Sequence, residues 1–178
     1  FILVSTSNMC LLYDYDGSLI RKIGKEGRGP NEYTIIYNSS FGLSNNIYIQ
    51  VNGNFLEYGT DGTFLSSFNI KKINNPEFYI SSWILINDSL FLGHTPLLTG
   101  KEETKAVIFN KKGCIMNEYK NYIFLNRSIR MFSSDDDKSF FYKYKGKTYF
   151  KEKMNDTLFC LTDKQELLPR ISFRLGKY

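Results

Sequence analysis

Residues 11–23 read Leu-Leu-Tyr-Asp-Tyr-Asp-Gly-Ser-Leu-Ile-Arg-Lys-Ile, and residues 55–68 read Phe-Leu-Glu-Tyr-Gly-Thr-Asp-Gly-Thr-Phe-Leu-Ser-Ser-Phe. Both are a hydrophobic run, an Asp-Gly pair and a second hydrophobic run, the strongest short-range signal of a β-hairpin. A third copy runs from Ala106 to Met116 around Lys112-Gly113, and a fourth from Thr157 to Leu167 around Lys164-Gln165. The turn centres fall at Gly17, Gly62, Gly113 and Gln165, spaced 45, 51 and 52 residues apart. Type I′ turns, whose central residues need the positive φ that Gly and Asp tolerate, are the expected geometry.

A second strand pair precedes each of the later hairpins. Ser40–Leu43 and Ile47–Val51 are split by Asn45-Asn46, and Trp83–Ile86 and Leu90–Leu92 by Asn87-Asp88. Ser139–Tyr144 and Thr148–Glu152 are split by Lys145-Gly146-Lys147. Four strands per repeat of this length is the period of a β-propeller blade, without the helices of ankyrin or leucine-rich repeats. A β-sandwich also spaces its turns closely, but the recurrence of one turn chemistry at one period argues against it. The expected fold is all-β, a partial propeller domain over 1–178 with blades near 1–30, 31–75, 76–125 and 126–178, cut from a longer ring.

Composition agrees. Of 178 residues, 42% are hydrophobic and 23% charged, the globular range, which excludes a disordered or collagen-like chain. Aromatics reach 16% and Ala106 is the single alanine. Strands favour Tyr, Phe and Ile, whereas a helical protein would not avoid the best helix former. The net charge of +5 permits contact with an anionic partner without indicating one. Cys10, Cys114 and Cys160 form no CxxC pair, so neither a disulfide framework nor a zinc site is expected, and they read as small core residues. No run approaches the roughly 18 apolar residues of a membrane span.

The stretch Ile23-Gly24-Lys25-Glu26-Gly27-Arg28-Gly29-Pro30-Asn31-Glu32-Tyr33 follows the first hairpin and has the form IG(K/R)xGxGPxEY. It resembles the six-bladed β-propeller proteins of Bacteroidetes, relatives of NHL-repeat propellers. Asn155-Asp156-Thr157-Leu158-Phe159-Cys160-Leu161, with Leu168-Pro169-Arg170 and Phe173-Arg174-Leu175-Gly176-Lys177-Tyr178, looks like the NDTIYxL … P … FGKY stretch of the same family. The resemblance implies an exported protein, periplasmic or at the cell surface, with a membrane contact only through a lipid anchor that this chain does not carry. It implies no common activity.

For chemistry, the glycines of Gly24–Pro30 could cradle an anion, but neither GxxxxGK[ST] nor GxGxxG is present and no helix follows. They read as an interblade connection in which Pro30 fixes φ and Glu32 and Tyr33 hold the turn, with Arg28, Asn31, Glu32 and Tyr33 as the candidate partner face. Residues 138–153 interleave six lysines with six aromatics. At period two, Lys143, Lys145 and Lys147 face water while Tyr142 and Tyr144 pack between blades, so nucleic-acid binding is not expected. His94, the lone histidine, lacks a Ser-His-Asp or HExxH context and reads as a loop or surface residue. Asp135–Asp137 lacks the spacing of a calcium loop. Asn38, Asn87, Asn126 and Asn155 open sequons that sixteen asparagines would produce by chance. No catalytic, cofactor or metal site is expected. The expected function is non-enzymatic binding of a protein, peptide or glycan at a face or central pocket, with a metal-dependent propeller hydrolase or lactonase as the alternative.

Overall fold

The computed structural model describes residues 1–51, 53–70, 78–124, 139–152 and 155–174, and all regular structure among them is β. Asp135–Asp137, Asn126 and residues 175–178 lie outside the described residues. The first sheet is β1 (Ile2–Ser5), β2 (Cys10–Tyr13) and β3 (Leu19–Lys22). The second is β4 (Asn38–Phe41), β5 (Asn46–Val51), β6 (Asn54–Gly59) and β7 (Phe64–Asn69). The third is β8 (Ser82–Leu85), β9 (Leu90–His94), β10 (Thr104–Asn110) and β11 (Ile115–Lys120). The fourth is β12 (Ser139–Tyr144), β13 (Lys147–Glu152), β14 (Thr157–Leu161) and β15 (Leu167–Ser172). Each is an antiparallel meander in chain order, the form of a propeller blade. The repeated hairpin joins the last two strands of each sheet, so β1–β3 correspond to the second, third and fourth strands of the others.

The turns sit where the dipeptides place them, but their type differs from the expectation. At the first, Gly17 N–H bonds Asp14 C=O at 3.1 Å and Asp14 N–H bonds Ser18 C=O at 2.9 Å, and Gly17 (φ 86°) takes the left-handed conformation while Asp16 does not. This is a type I turn closed by a left-handed residue and a bulge, not type I′. Asp16 earns its place through its side chain: its carboxylate accepts Ser18 N–H at 2.8 Å, an Asx turn that favours right-handed backbone at Asp16 itself. Asp61 does the same for Thr63 at 3.0 Å. The double left-handed pair of a type I′ turn occurs instead at Lys145 (φ 48°) and Gly146 (φ 75°).

The chain forms two compact units. One comprises Phe1–Pro76 with the turns Asn87–Ser89 and Lys111–Cys114; the other comprises Glu77–Ile86, Leu90–Asn110 and Ile115–Tyr178. In the first, Cys10, Leu12, Ile23, Tyr33, Ile47, Ile49, Leu56 and Tyr58 make one apolar seam between the first and second sheets. In the second unit, Leu92, Ala106, Ile108, Phe150 and Leu161 are the seam between the third and fourth sheets, with Phe141 and Phe159 against it. Phe150 is fully buried and stacks on Phe141 at 5.0 Å; burying such a ring contributes about 1.5–3 kcal/mol. In each unit the first strands of neighbouring sheets approach: Ser39 Oγ donates to Ser5 Oγ at 2.9 Å, and the Ser82 and Ser139 hydroxyls hydrogen-bond.

Three side-chain expectations are corrected. Only Cys10 is a core cysteine; Cys114 is exposed because it lies in the turn before β11, and Cys160 is half-buried because its position on β14 faces away from the seam that takes Phe159 and Leu161. Tyr142 and Tyr144 are exposed together with Phe140, since the seam against the third sheet takes the alternate residues, Phe141 and Phe150. Lys143 lies on the seam side of β12 and its Nζ donates to Ile86 C=O at 3.3 Å. The third correction, His94, belongs to the site.

Candidate functional site

The connection over Gly24–Tyr33 is a tightly bonded loop. Tyr33 N–H bonds Lys25 C=O at 3.0 Å, Gly27 N–H returns to Tyr33 C=O at 3.0 Å, and the Tyr33 hydroxyl donates to Ile23 C=O at 3.1 Å. Glu32 accepts Gly29 N–H at 2.8 Å and pairs with Lys25 Nζ at 2.9 Å. Lys25 and the Gly29 amide therefore hold its carboxyl below the ordinary value of 4.5. Asn31 (φ 62°) accepts the Tyr58 hydroxyl on its carbonyl at 2.7 Å, and burial pushes the Tyr58 phenol up to about 12. Of the four candidate residues, Tyr33 is buried, Glu32 is half-buried and spent on the turn, and Arg28 and Asn31 are exposed.

Polar side chains instead gather in the second unit, at one end of its two sheets. His94 is no surface residue: it ends β9, is 6% exposed, and its ring lies 5.7 Å from that of Phe150. Its Nδ1 is 2.9 Å from Ser81 Oγ and its Nε2 is 3.8 Å from Glu152 Oε1. Glu152 ends β13. Period two sends Thr148, Phe150 and Glu152 to the same buried side, so the carboxylate meets the imidazole at the rim of the aromatic seam.

Lys105 arrives by a backbone irregularity. Thr104 pairs with Lys120 and Ala106 with Tyr119, so two residues of β10 oppose one step of β11 and Lys105 is the extra residue of a bulge. Bulges re-aim side chains. This one turns Lys105 inward, with its ammonium 4.0 Å from Glu152 Oε2 and 3.7 Å from the centre of the Phe159 ring. Burial lowers the Lys105 pKa from its ordinary value, with the Glu152 charge opposing the shift. Burial raises that of Glu152, but His94, Lys105 and the Asn155 amide at 3.2 Å outweigh it and hold the carboxyl below 4.5.

A groove of about 450 Å³ opens beside this cluster. Tyr119, Tyr122, Phe159, Leu167 and Pro169 supply its apolar and aromatic lining, and Lys105, Lys120, Glu118, Asn121 and Asn155 its polar groups. Asn121 is consumed in shaping the loop, donating to Glu102 C=O at 3.0 Å and Ile123 C=O at 2.7 Å. The Thr104 hydroxyl donates to Glu118 at 3.0 Å. Tyr122, 80% exposed, offers an open ring at the mouth. The arrangement can grip a polar ligand that also presents an apolar face.

The first unit holds a second buried carboxylate. Glu57 accepts the Tyr48 hydroxyl at 2.8 Å, the Ser66 hydroxyl at 2.7 Å, the Lys111 ammonium at 3.1 Å and the Asn46 amide. Saturated in this way, it is a structural tie. Among the described residues no three His, Cys, Asp or Glu side chains converge as a metal site would require.

The family model described as "Domain of unknown function (DUF4934)" matches residues 1–178. The chain belongs to the DUF4934 family. No curated protein matches its sequence. Among solved structures, this DUF4934 chain is similar to a candidate exported protein of Bacteroides fragilis, with 16% identity and a TM-score of 0.66 over 97% of this chain and 50% of that one. A DUF4221 member from Bacteroides vulgatus aligns with 14% identity and a TM-score of 0.57 over 94% and 52%. Virginiamycin B lyase from Staphylococcus aureus aligns with 12% identity and a TM-score of 0.55 over 92% and 48%. At these identities the likeness is one of fold, and the DUF4934 chain spans about half the length of each structure.

Sequence reasoning missed His94, Lys105 and Glu152 as a group. The available signal was the alternation Thr148, Phe150, Glu152, which puts a carboxylate on an aromatic face. No local signal marks the bulge at Lys105.

Proposed function

We propose that this chain is a binding segment of an exported propeller, part of a six-bladed, NHL-like ring in the periplasm or on the cell surface, and that it holds a glycan in the groove of its second unit without transforming it. The observation that carries this reading is the lining of the groove: aromatic rings at Tyr122 and Phe159 beside amine and carboxylate groups at Lys105, Lys120 and Glu118. Sugar rings offer the matching pair of surfaces, an apolar C–H face and a rim of hydroxyls, and pockets that combine apolar walls with few polar groups suit such ligands. Export is supported by the description of the Bacteroides fragilis neighbour, and the larger ring by the length of the structures it resembles.

The test is binding of a glycan panel to the purified protein, followed by calorimetry on any hit with wild type and Tyr122→Ala. Binding that weakens about tenfold in the variant supports the groove; a hit unaffected by Tyr122→Ala places the ligand elsewhere.

The buried His94–Glu152 pair favours a second reading, a propeller hydrolase or lactonase with a central metal, in which a histidine beside a carboxylate would serve as base. Metal analysis of the protein and a panel of ester, lactone and glycoside substrates separate the two readings.

A further inference from the structure

We infer that the ligand of this groove is acidic, a uronic-acid-bearing glycan whose carboxylate seats on Lys105. The inference rests on the glycan-binding reading and deepens it. Lys105 presents three N–H donors on a side chain only 9% exposed, yet among the described residues its ammonium makes no hydrogen bond. Its charge contact among the described residues, Glu152 Oε2, stands at 4.0 Å, outside hydrogen-bond range, and the same oxygen already accepts the Asn155 amide at 3.2 Å. The Phe159 ring below it stabilises a cation but accepts no conventional hydrogen bond. The side chain is buried along its stem while the ammonium lines the groove, where water or a ligand oxygen completes its donors.

The groove selects the kind of oxygen. Among the described residues, Lys105 and Lys120 line it against the one lining carboxylate of Glu118, which the Thr104 hydroxyl engages from the strand. Hydrogen bonds from an ammonium to a carboxylate are roughly twice as strong as those between neutral groups, and a desolvated cation gains most from them. The apolar lining at Tyr122 and Pro169 then takes the sugar face. Glu152 competes with the ligand for the same ammonium, so it sets the affinity from behind the site.

Calorimetry with trigalacturonate and with its neutral counterpart galactotriose tests the inference, with thermal melts confirming that each variant is folded. Wild type should bind trigalacturonate at least tenfold more tightly than galactotriose, and more weakly as salt rises. Lys105→Met, which keeps the apolar stem and removes the donors, should abolish the preference, while Glu152→Gln should strengthen trigalacturonate binding severalfold. A structural role for Lys105 would change the melts without changing the preference. Equal binding of the two sugars, or a preference unchanged in Lys105→Met, overturns the acidic assignment and leaves the glycan reading standing. Failure of both sugars to bind while another glycan is captured through Tyr122 also overturns it, and failure of every glycan overturns both.

Discussion

The Tyr119 hydroxyl donates a 2.7 Å hydrogen bond to the carbonyl of Gln165, the residue that takes left-handed φ (59°) at the tip of the last hairpin. Asn117 Nδ2 donates to the same carbonyl at 3.0 Å. A side chain of the third sheet thus reads the backbone of a turn in the fourth, at the position where the other three hairpins carry glycine. Burial pushes the Tyr119 phenol up to about 12.

Because both bonds go to backbone, Gln165→Gly keeps them and removes the steric cost of left-handed φ. The gain, offset in part by the entropy of a freer unfolded chain, is about 0.5–1 kcal/mol. The melting temperature should rise by about 1–4 °C. A fall would mean that the Gln165 side chain contributes more than its backbone strain costs.

Gly24→Ala should act in the opposite direction. Gly24 has φ 67°, and an added Cβ would lie 2.8 Å from the Tyr58 hydroxyl and 2.9 Å from the Tyr33 ring, both in the seam of the first unit. Strain of this kind costs about 1–3 kcal/mol before any repacking. Chemical denaturation should show the loss as a lower midpoint at unchanged slope.

Stability should fall in acid. Glu57 and Glu152 have folded pKa values below 4.5, so each binds its proton more weakly in the folded state than when unfolded. Their contribution is present above 4.5 and is lost as pH falls through the lower folded values. Melts between pH 7 and pH 3 should show most of the decline below 4.5, and Glu57→Gln should flatten it.

The cysteines should separate by reactivity. Burial pushes the Cys10 thiol up to about 11, whereas Cys114 is exposed. A thiol reagent at neutral pH should label Cys114 first and leave Cys10 untouched until the protein unfolds. Peptide mapping after brief labelling reads this directly.

The outer face of the fourth sheet should be adhesive. Phe140, Tyr142 and Tyr144 are 58%, 43% and 56% exposed, and Leu168 and Ile171 are exposed on the same sheet. Contiguous apolar surface of this kind drives association. Light scattering on residues 1–178 should show self-association that weakens in Phe140→Lys/Tyr142→Lys; a wild-type monomer would contradict the expectation.

Near neighbours along the chain govern the part of the fold that can be read from the residues alone. Asp16-Gly17, Asp61-Gly62, Lys112-Gly113 and Lys164-Gln165 specify hairpins because turn chemistry acts over a few residues, and their recurrence specifies blades. Glu32 and Tyr33 were legible as turn residues for the same reason. Even so, the turn type was decided inside the loops, by Asx bonding at Asp16 and Asp61 in the first two, which dipeptide composition does not distinguish from type I′. The polar cluster was decided by tertiary structure alone. His94, Lys105 and Glu152 come from strands of two sheets, and they meet only because the apolar seam sets the spacing of those sheets and a one-residue bulge reverses the face of Lys105. A bulge inverts the period-two pattern from which facing is read, so no inspection of alternation along β10 could have turned that lysine inward.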